Sequence, residues 1–135
     1  MGRSRVDRRG VFACELIPAG RKVMEYTGRH LSRRTYMREF APLFRFRAPK
    51  RIYVMALTAT HFIDGAVNGS GAECINHSCD PNLSIRRIRG HLLMFSKRRI
   101  ARGEELTFDY QLIREASKVR CRCGSPLCRG TLNVL

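Results

Sequence analysis

The chain has 135 residues and a formal net charge of +15, the balance of 26 lysines and arginines against 11 acidic residues. A chain of this size buries about two-thirds of its extended surface on folding, which suits one domain with a real core and argues against a second. Dispersed charge and an ordinary apolar content exclude a disordered polymer, and no run approaches the roughly 20 apolar residues of a membrane helix.

Basic residues open the chain at Arg3, Arg5, Arg8 and Arg9, with no apolar stretch behind them to make a secretory leader. Val6 stands where a myristoylation signal needs Ser or Thr. Apolar and β-branched runs over residues 10–17 and 22–26 predict short strands separated by the turn Pro18-Ala19-Gly20. Ser32 is placed to cap a helix running to about Phe40, ahead of Pro42. Residues 41–50, with Pro42 and Pro49 among arginines and phenylalanines, predict an irregular basic insert, either a surface loop or a lid facing substrate. Further strands are predicted over 52–57, 62–64, 83–88, 92–96 and 106–110. They are punctuated by Asp64-Gly65, Asn68-Gly69, Asp80-Pro81-Asn82, Arg89-Gly90 and Arg102-Gly103. A last helical turn is predicted over 112–117. The body is mainly β. Basic clusters recur at 29–51, 86–89 and 97–99, so the surface should attract polyanions, nucleic acid first among them.

Six cysteines without a leader point to metal ligation ahead of disulfides. Cys121 and Cys123 set two thiolates within reach of one ion, Gly124 eases the turn behind them, and Cys128 returns a third ligand. Tetrahedral zinc needs a fourth. Cys79 is the natural choice, because an all-cysteine site would staple the C-terminal segment to Asn76-His77; Cys14, Cys74 and His77 are its rivals. Cys14 and Cys74, when not ligands, are expected to be small buried hydrophobes. His30, His61 and His91 have no motif company and are read as fillers of surface or core.

Three segments occur in order: Asn76-His77-Ser78-Cys79, then Glu104-Glu105-Leu106-Thr107-Phe108-Asp109-Tyr110, then Cys121-x-Cys123-Gly124-x3-Cys128-Arg129-Gly130. With Asp7-Arg8-Arg9-Gly10-Val11-Phe12-Ala13, Glu25-Tyr26-Thr27-Gly28 and the run 53–57, the series resembles SET-domain protein lysine methyltransferases with a post-SET zinc-binding tail. The likeness runs nearly end to end. It implies a mainly β fold of small curved sheets with a pseudoknot, few short helices and a C-terminal zinc-binding segment. The SET domain would cover 7–111, with the basic insert at about 29–51, and the post-SET segment 118–135.

The resemblance also implies S-adenosylmethionine and Zn2+ as cofactors, and methyl transfer to a lysine side chain. Tyr110 and Tyr26 are the implied catalytic residues. Phe108 matches the position that governs how many methyl groups the amine gains, and a Phe there implies di- or trimethylation. Asp7, Arg9, Tyr53, Asn76, His77 and Arg122 are the implied cofactor contacts, and Cys79, Cys121, Cys123 and Cys128 the metal ligands. The chain departs from the family at Arg8, where glycine is usual, at Glu73-Cys74 before the Ile-Asn-His-Ser run, and at Arg29, where an acid is usual. Each departure bears on cofactor affinity.

The expected partner is a lysine-bearing protein, a histone tail or another nucleic-acid-associated basic protein, and no membrane. That places the chain at nuclear chromatin in a eukaryote, or in the cytoplasm and nucleoid of a bacterium. The +15 field repels a basic tail unless the enzyme grips the associated DNA. The competing reading is a catalytically inactive, zinc-stabilised module that binds nucleic acid. Tyr26, Asn76, His77, Phe108 and Tyr110 occurring together favour the enzyme, because a pure binder has no chemical use for them.

Overall fold

The computed structural model describes residues 1–46, 53–112 and 118–134. In chain order the elements begin with β1 (Gly2–Arg3), β2 (Arg9–Gly10), β3 (Lys22–Tyr26), β4 (Arg29–Ser32), α1 (Arg33–Glu39) and α2 (Ala41–Phe46). There follow β5 (Val54–Ala56), β6 (His61–Asp64), β7 (Asn76–His77), β8 (Leu83–Ile88), β9 (His91–Ser96) and β10 (Thr107–Phe108). The mainly β expectation holds, with the strands divided among four small sheets.

The central sheet has the order β3-β9-β8, antiparallel throughout. Its core face follows from the two-residue period of a strand: Leu92 and Met94 of β9 point inward, Leu93 and Phe95 outward. Leu83, Leu92, Met94, Ile75 and Ile100 are fully buried, and each such side chain contributes roughly 1.5–3 kcal/mol relative to exposure. Ser96 is buried at the end of β9 without cost, because its hydroxyl donates to Pro18 O at 2.6 Å and accepts from Arg21 N at 2.9 Å. The 10–17 run does not form one strand. After β2 it makes only isolated bridges, Phe12 with Glu105 and Ile17 with Ile100. Cys14 in that run is exposed, a correction to its expected burial, since Val11 and Ala13 take the core-facing positions and leave Cys14 facing out.

A second sheet has the order β4-β6-β5. Here the expected insert is corrected: residues 29–32 are a strand paired with β6, and Ala41–Phe46 is helical. Arg29 reaches Glu39 of α1 at 2.9 Å and Asp64 of β6 at 3.4 Å, so this departure from the family pattern ties helix to sheet. Gly28 is needed next to it, because a Cβ there would stand 2.1 Å from Asp64 O. The expected helix from Ser32 is present as α1; the Ser32 hydroxyl accepts from Thr35 N at 3.2 Å, and Phe40 ends the helix. Tyr36 of α1 stacks on Phe62 of β6, with ring centroids 4.0 Å apart. Residues 47–52, and the 112–117 turn from 113 onward, lie outside the described residues.

The remaining pairings position the chemistry. β7 and β10 run parallel, Asn76 beside Thr107 and His77 beside Phe108, joining segments about 30 residues apart. β1 and β2 form a hairpin that folds the N-terminus against them. Among the described residues no helix is long and apolar enough to cross a membrane.

Candidate active site

A cavity of about 930 Å³ opens beside the β7–β10 pair. Its wall includes Asp7, Arg9, Tyr26, Tyr53, Asn76, His77, Phe108, Tyr110 and Arg122, so the residues expected to catalyse and to hold cofactor lie around one space. Its size suits a ligand of nucleotide-cofactor dimensions. Asn76 draws the N-terminal hairpin over this space. Its amide nitrogen lies 2.9 Å from Arg9 O, 2.8 Å from Glu105 Oε1 and 3.1 Å from Ser4 Oγ, and the Ser4 hydroxyl donates to Glu105 Oε1 at 2.7 Å. Gly10 allows the close approach, since a Cβ there would meet Glu105 Oε1 at 2.2 Å. Arg8 adopts a φ of 33°, in the left-handed region that glycine occupies freely, so the arginine at the family's glycine position keeps the glycine-like backbone at a cost of about 1 kcal/mol.

Phe108 is buried, and its ring centroid lies 4.8 Å from that of Tyr110. The Tyr110 hydroxyl donates to Ile75 O at 2.9 Å, and the Tyr26 hydroxyl donates to Tyr53 O. Burial, aided by nearby acidic groups, pushes both phenols far above their ordinary range, so each stays protonated at any physiological pH. A second cavity, about 520 Å³, also reaches Phe108 and Tyr110. The two spaces share Val54, Met55, Phe108, Tyr110 and Leu112. Tyr110 can therefore be reached from both spaces.

The thiols of Cys79, Cys121, Cys123 and Cys128 all lie within 4.8 Å of one another. Cys79 Sγ is 3.7 Å from Cys121 Sγ and 4.0 Å from Cys128 Sγ, close to the ~3.8 Å edge of a zinc–sulfur tetrahedron built on bonds of about 2.3 Å. The thiols compete for protons. Burial and neighbouring thiols push Cys121 up to about 12. Burial also works to raise Cys123, but the N–H groups of Cys79 and Ser125 and the adjacent thiols outweigh it and bring it down to about 6. A dication resolves this competition, and the donor set is compatible with zinc. Of the rivals, Cys14 is exposed elsewhere and Cys74 lines the larger cavity.

His77 is tied to this cluster as a neighbour. Its Nδ1 accepts from Tyr110 N at 3.1 Å, and its Nε2 stands 3.3 Å from Cys79 Sγ. Burial lowers the imidazole to about 4, with Asp109 opposing and Arg129 adding to the shift, so the ring is neutral. With Nδ1 accepting, the proton sits on Nε2 and points at the Cys79 sulfur. His77 thus joins the Tyr110 backbone to the thiol cluster.

Arg129 and Asp109 lie inside the quoted motifs and had no assigned role. Arg129 donates to both carboxylate oxygens of Asp109 at 2.8 Å, and also to Leu132 O at 2.8 Å and Asn133 O at 2.9 Å. This clamp fastens the C-terminal segment beside Tyr110. Burial alone would raise Asp109, but Arg129 and the Gln111 N–H hold it below the ordinary carboxylate range. The opposite charges at 109 and 129 were the only sequence signal for the pair. Ser4 and Glu105 were missed because nothing local marks a side chain that closes a contact about 100 residues away.

The family model described as "SET domain" matches residues 8–111. "Histone-lysine N-methyltransferase, H3 lysine-36 specific" of Mycosarcoma maydis is 35% identical over 128 residues, 91% of this chain and 13% of that protein. "Histone-lysine N-methyltransferase, H3 lysine-4 specific" of Schizosaccharomyces pombe is 37% identical over 144 residues, 98% of this chain and 15% of that protein. "Histone-lysine N-methyltransferase 2B" of Homo sapiens is 37% identical over 137 residues, 97% of this chain and 5% of that protein. The chain thus spans at most 15% of these relatives' length. Among solved structures, the "crystal structure of KRYPTONITE in complex with mCHG DNA and SAH" superposes with a TM-score of 0.73 at 27% identity, covering 96% of this chain and 28% of that one.

Proposed function

The chain belongs to the SET-domain family, and from that premise we propose that it methylates protein lysine side chains with S-adenosylmethionine as donor. The observation that carries this reading is the wall that two spaces share, in which Phe108 and Tyr110 stand with Val54, Met55 and Leu112. Bound in the larger space, S-adenosylmethionine supplies a methyl group on a positively charged sulfur. The chain's residues do the rest. Asp7, Arg9, Tyr53, Asn76, His77 and Arg122 line the donor side and would hold and orient it.

A free lysine, with pKa about 10.4, is almost wholly protonated at neutral pH and cannot attack. Burial between Tyr110, Phe108 and Tyr26 disfavours the ammonium and drives its proton out to solvent before transfer. Tyr26 and Tyr110 stay protonated, so neither takes that proton; their hydroxyls, pinned to Tyr53 O and Ile75 O, hold the amine in line. Phe108 has no hydroxyl with which to restrain the amine, which leaves it free to turn with methyl groups attached and supports di- or trimethylation. Cys79, Cys121, Cys123 and Cys128 would hold Zn2+ and fasten the segment 118–135 as the post-SET closure of the donor space.

Relatives named for action on histone H3 and a structural neighbour solved with DNA support a histone or another nucleic-acid-associated protein as substrate, at nuclear chromatin. The +15 charge supports contact with the nucleic acid itself. The test is calorimetric titration of zinc-loaded protein with S-adenosylmethionine, followed by incubation with labelled donor and a panel of histones, nucleosomes and extracts. Binding with label transfer is expected from the wild type, and binding without transfer from Tyr110→Phe. No donor binding by folded, zinc-loaded protein would refute the proposal.

A further inference from the structure

The smaller cavity has a charge that the methyl-transfer reading does not explain. Its rim is built from Tyr36, Phe62, Pro81, Ser84, Arg87 and Lys97, and it leads to the shared wall at Tyr110. Arg87 is fixed there by its Nε, which donates to Ala56 O at 3.0 Å, and no carboxylate pairs with Arg87 or Lys97 among the described residues. Among the described residues the one carboxylate in the lining, Asp109, is already neutralised by both Nη groups of Arg129 at 2.8 Å. The groove is therefore cationic, and the amine that enters it arrives as a cation from bulk water.

We propose that this groove selects a target lysine flanked by aspartate or glutamate, with Arg87 and Lys97 as the specificity-determining residues. The inference rests on the methyl-transfer reading and narrows its substrate. A carboxylate one or two residues from the target offsets the repulsion between the incoming lysine and the two rim cations. Arginine or lysine in the same place adds to it. Both rim cations are exposed, so the expected effect is a preference of about three- to ten-fold, fading as salt rises.

Three fluorescent peptides test this, each with one lysine flanked by Glu, by Ala or by Arg, with anisotropy reading affinity and labelled donor reading methyl transfer. The zinc-loaded full chain should bind them in the order Glu, Ala, Arg. R87E with K97E should reverse the order, and R87Q with K97Q should flatten it. R21E with K22E is the control: it makes the same change in net charge at exposed residues outside the groove and should leave the order intact. Equal affinity for the three peptides, preference for Arg flanks, or an equal effect of the control pair would overturn the assignment. Charge-ordered binding without methyl transfer would uphold the groove and refute the activity, so the two failures are distinguishable.

Discussion

Arg129→Ala should release the C-terminal segment while leaving the core intact. The guanidinium makes two bonds to Asp109 at 2.8 Å, one to Leu132 O at 2.8 Å and one to Asn133 O at 2.9 Å. A charge-assisted bond is worth about 1.5–3 kcal/mol, but bonds sharing one side chain are not additive. Breaking a fully buried pair costs about 3–5 kcal/mol and an exposed one under about 1. The two side chains are 17% and 25% exposed, which places the loss nearer the middle, at about 2–3 kcal/mol. That is a 30- to 150-fold increase, in order of magnitude, in local opening. Amide hydrogen exchange reads it directly. The Leu132 N–H to Val119 O, Cys121 N–H to Gly130 O and Val134 N–H to Leu112 O bonds hold the segment, and those three amides should exchange faster by about that factor. The β9 amides of Leu92 and Met94 should not change. Arg129→Lys keeps the charge and loses the fork, and should fall between. Exchange at the three amides unchanged within threefold in Arg129→Ala would show that the clamp does not hold the segment.

Chelation of zinc-loaded protein should abolish order in the segment from 118 onward and leave the β3-β9-β8 sheet folded; circular dichroism with exchange mapping would expose a cluster that needs no ion. Acid should destabilise the fold in a defined window. Burial holds His77 at about 4, below the 6.5 of an exposed imidazole, so the unfolded chain binds the extra proton more readily. The stabilisation is fully present above about pH 6.5, is lost as pH falls towards 4, and totals roughly 2–4 kcal/mol. Urea midpoints measured across that range should fall for the wild type and fall less for His77→Asn; parallel curves would contradict the burial argument. Phe108→Tyr should shift product towards monomethyl-lysine, and an unchanged methyl count by mass spectrometry would remove the role assigned to that ring.

Much of the fold was legible because it depends on short-range periodicity. Residues 22–26 and 83–88 became strands with the predicted bounds, and Ser32 capped α1, since burial alternation and an N-terminal hydroxyl act within a few residues. Cys121, Cys123 and Cys128 were recognisable by spacing alone, because one ion can be reached only from nearby ligands. Other features depended on partners far along the chain. Residues 29–32 read as an insert because Arg29-His30-Leu31-Ser32, with a single apolar residue, carries no strand pattern; β6 makes them a strand by offering its edge. The two-residue strands β7 and β10 are too short for any period, yet their parallel pairing sets Asn76 and His77 beside Phe108. Sequence alone thus determined which residue types carry the chemistry and where the local elements lie. Only the tertiary structure decided which thiol completes the cluster, that Arg129 clamps Asp109, and that two spaces meet at Tyr110, because each of these is a distance between segments that no local pattern encodes.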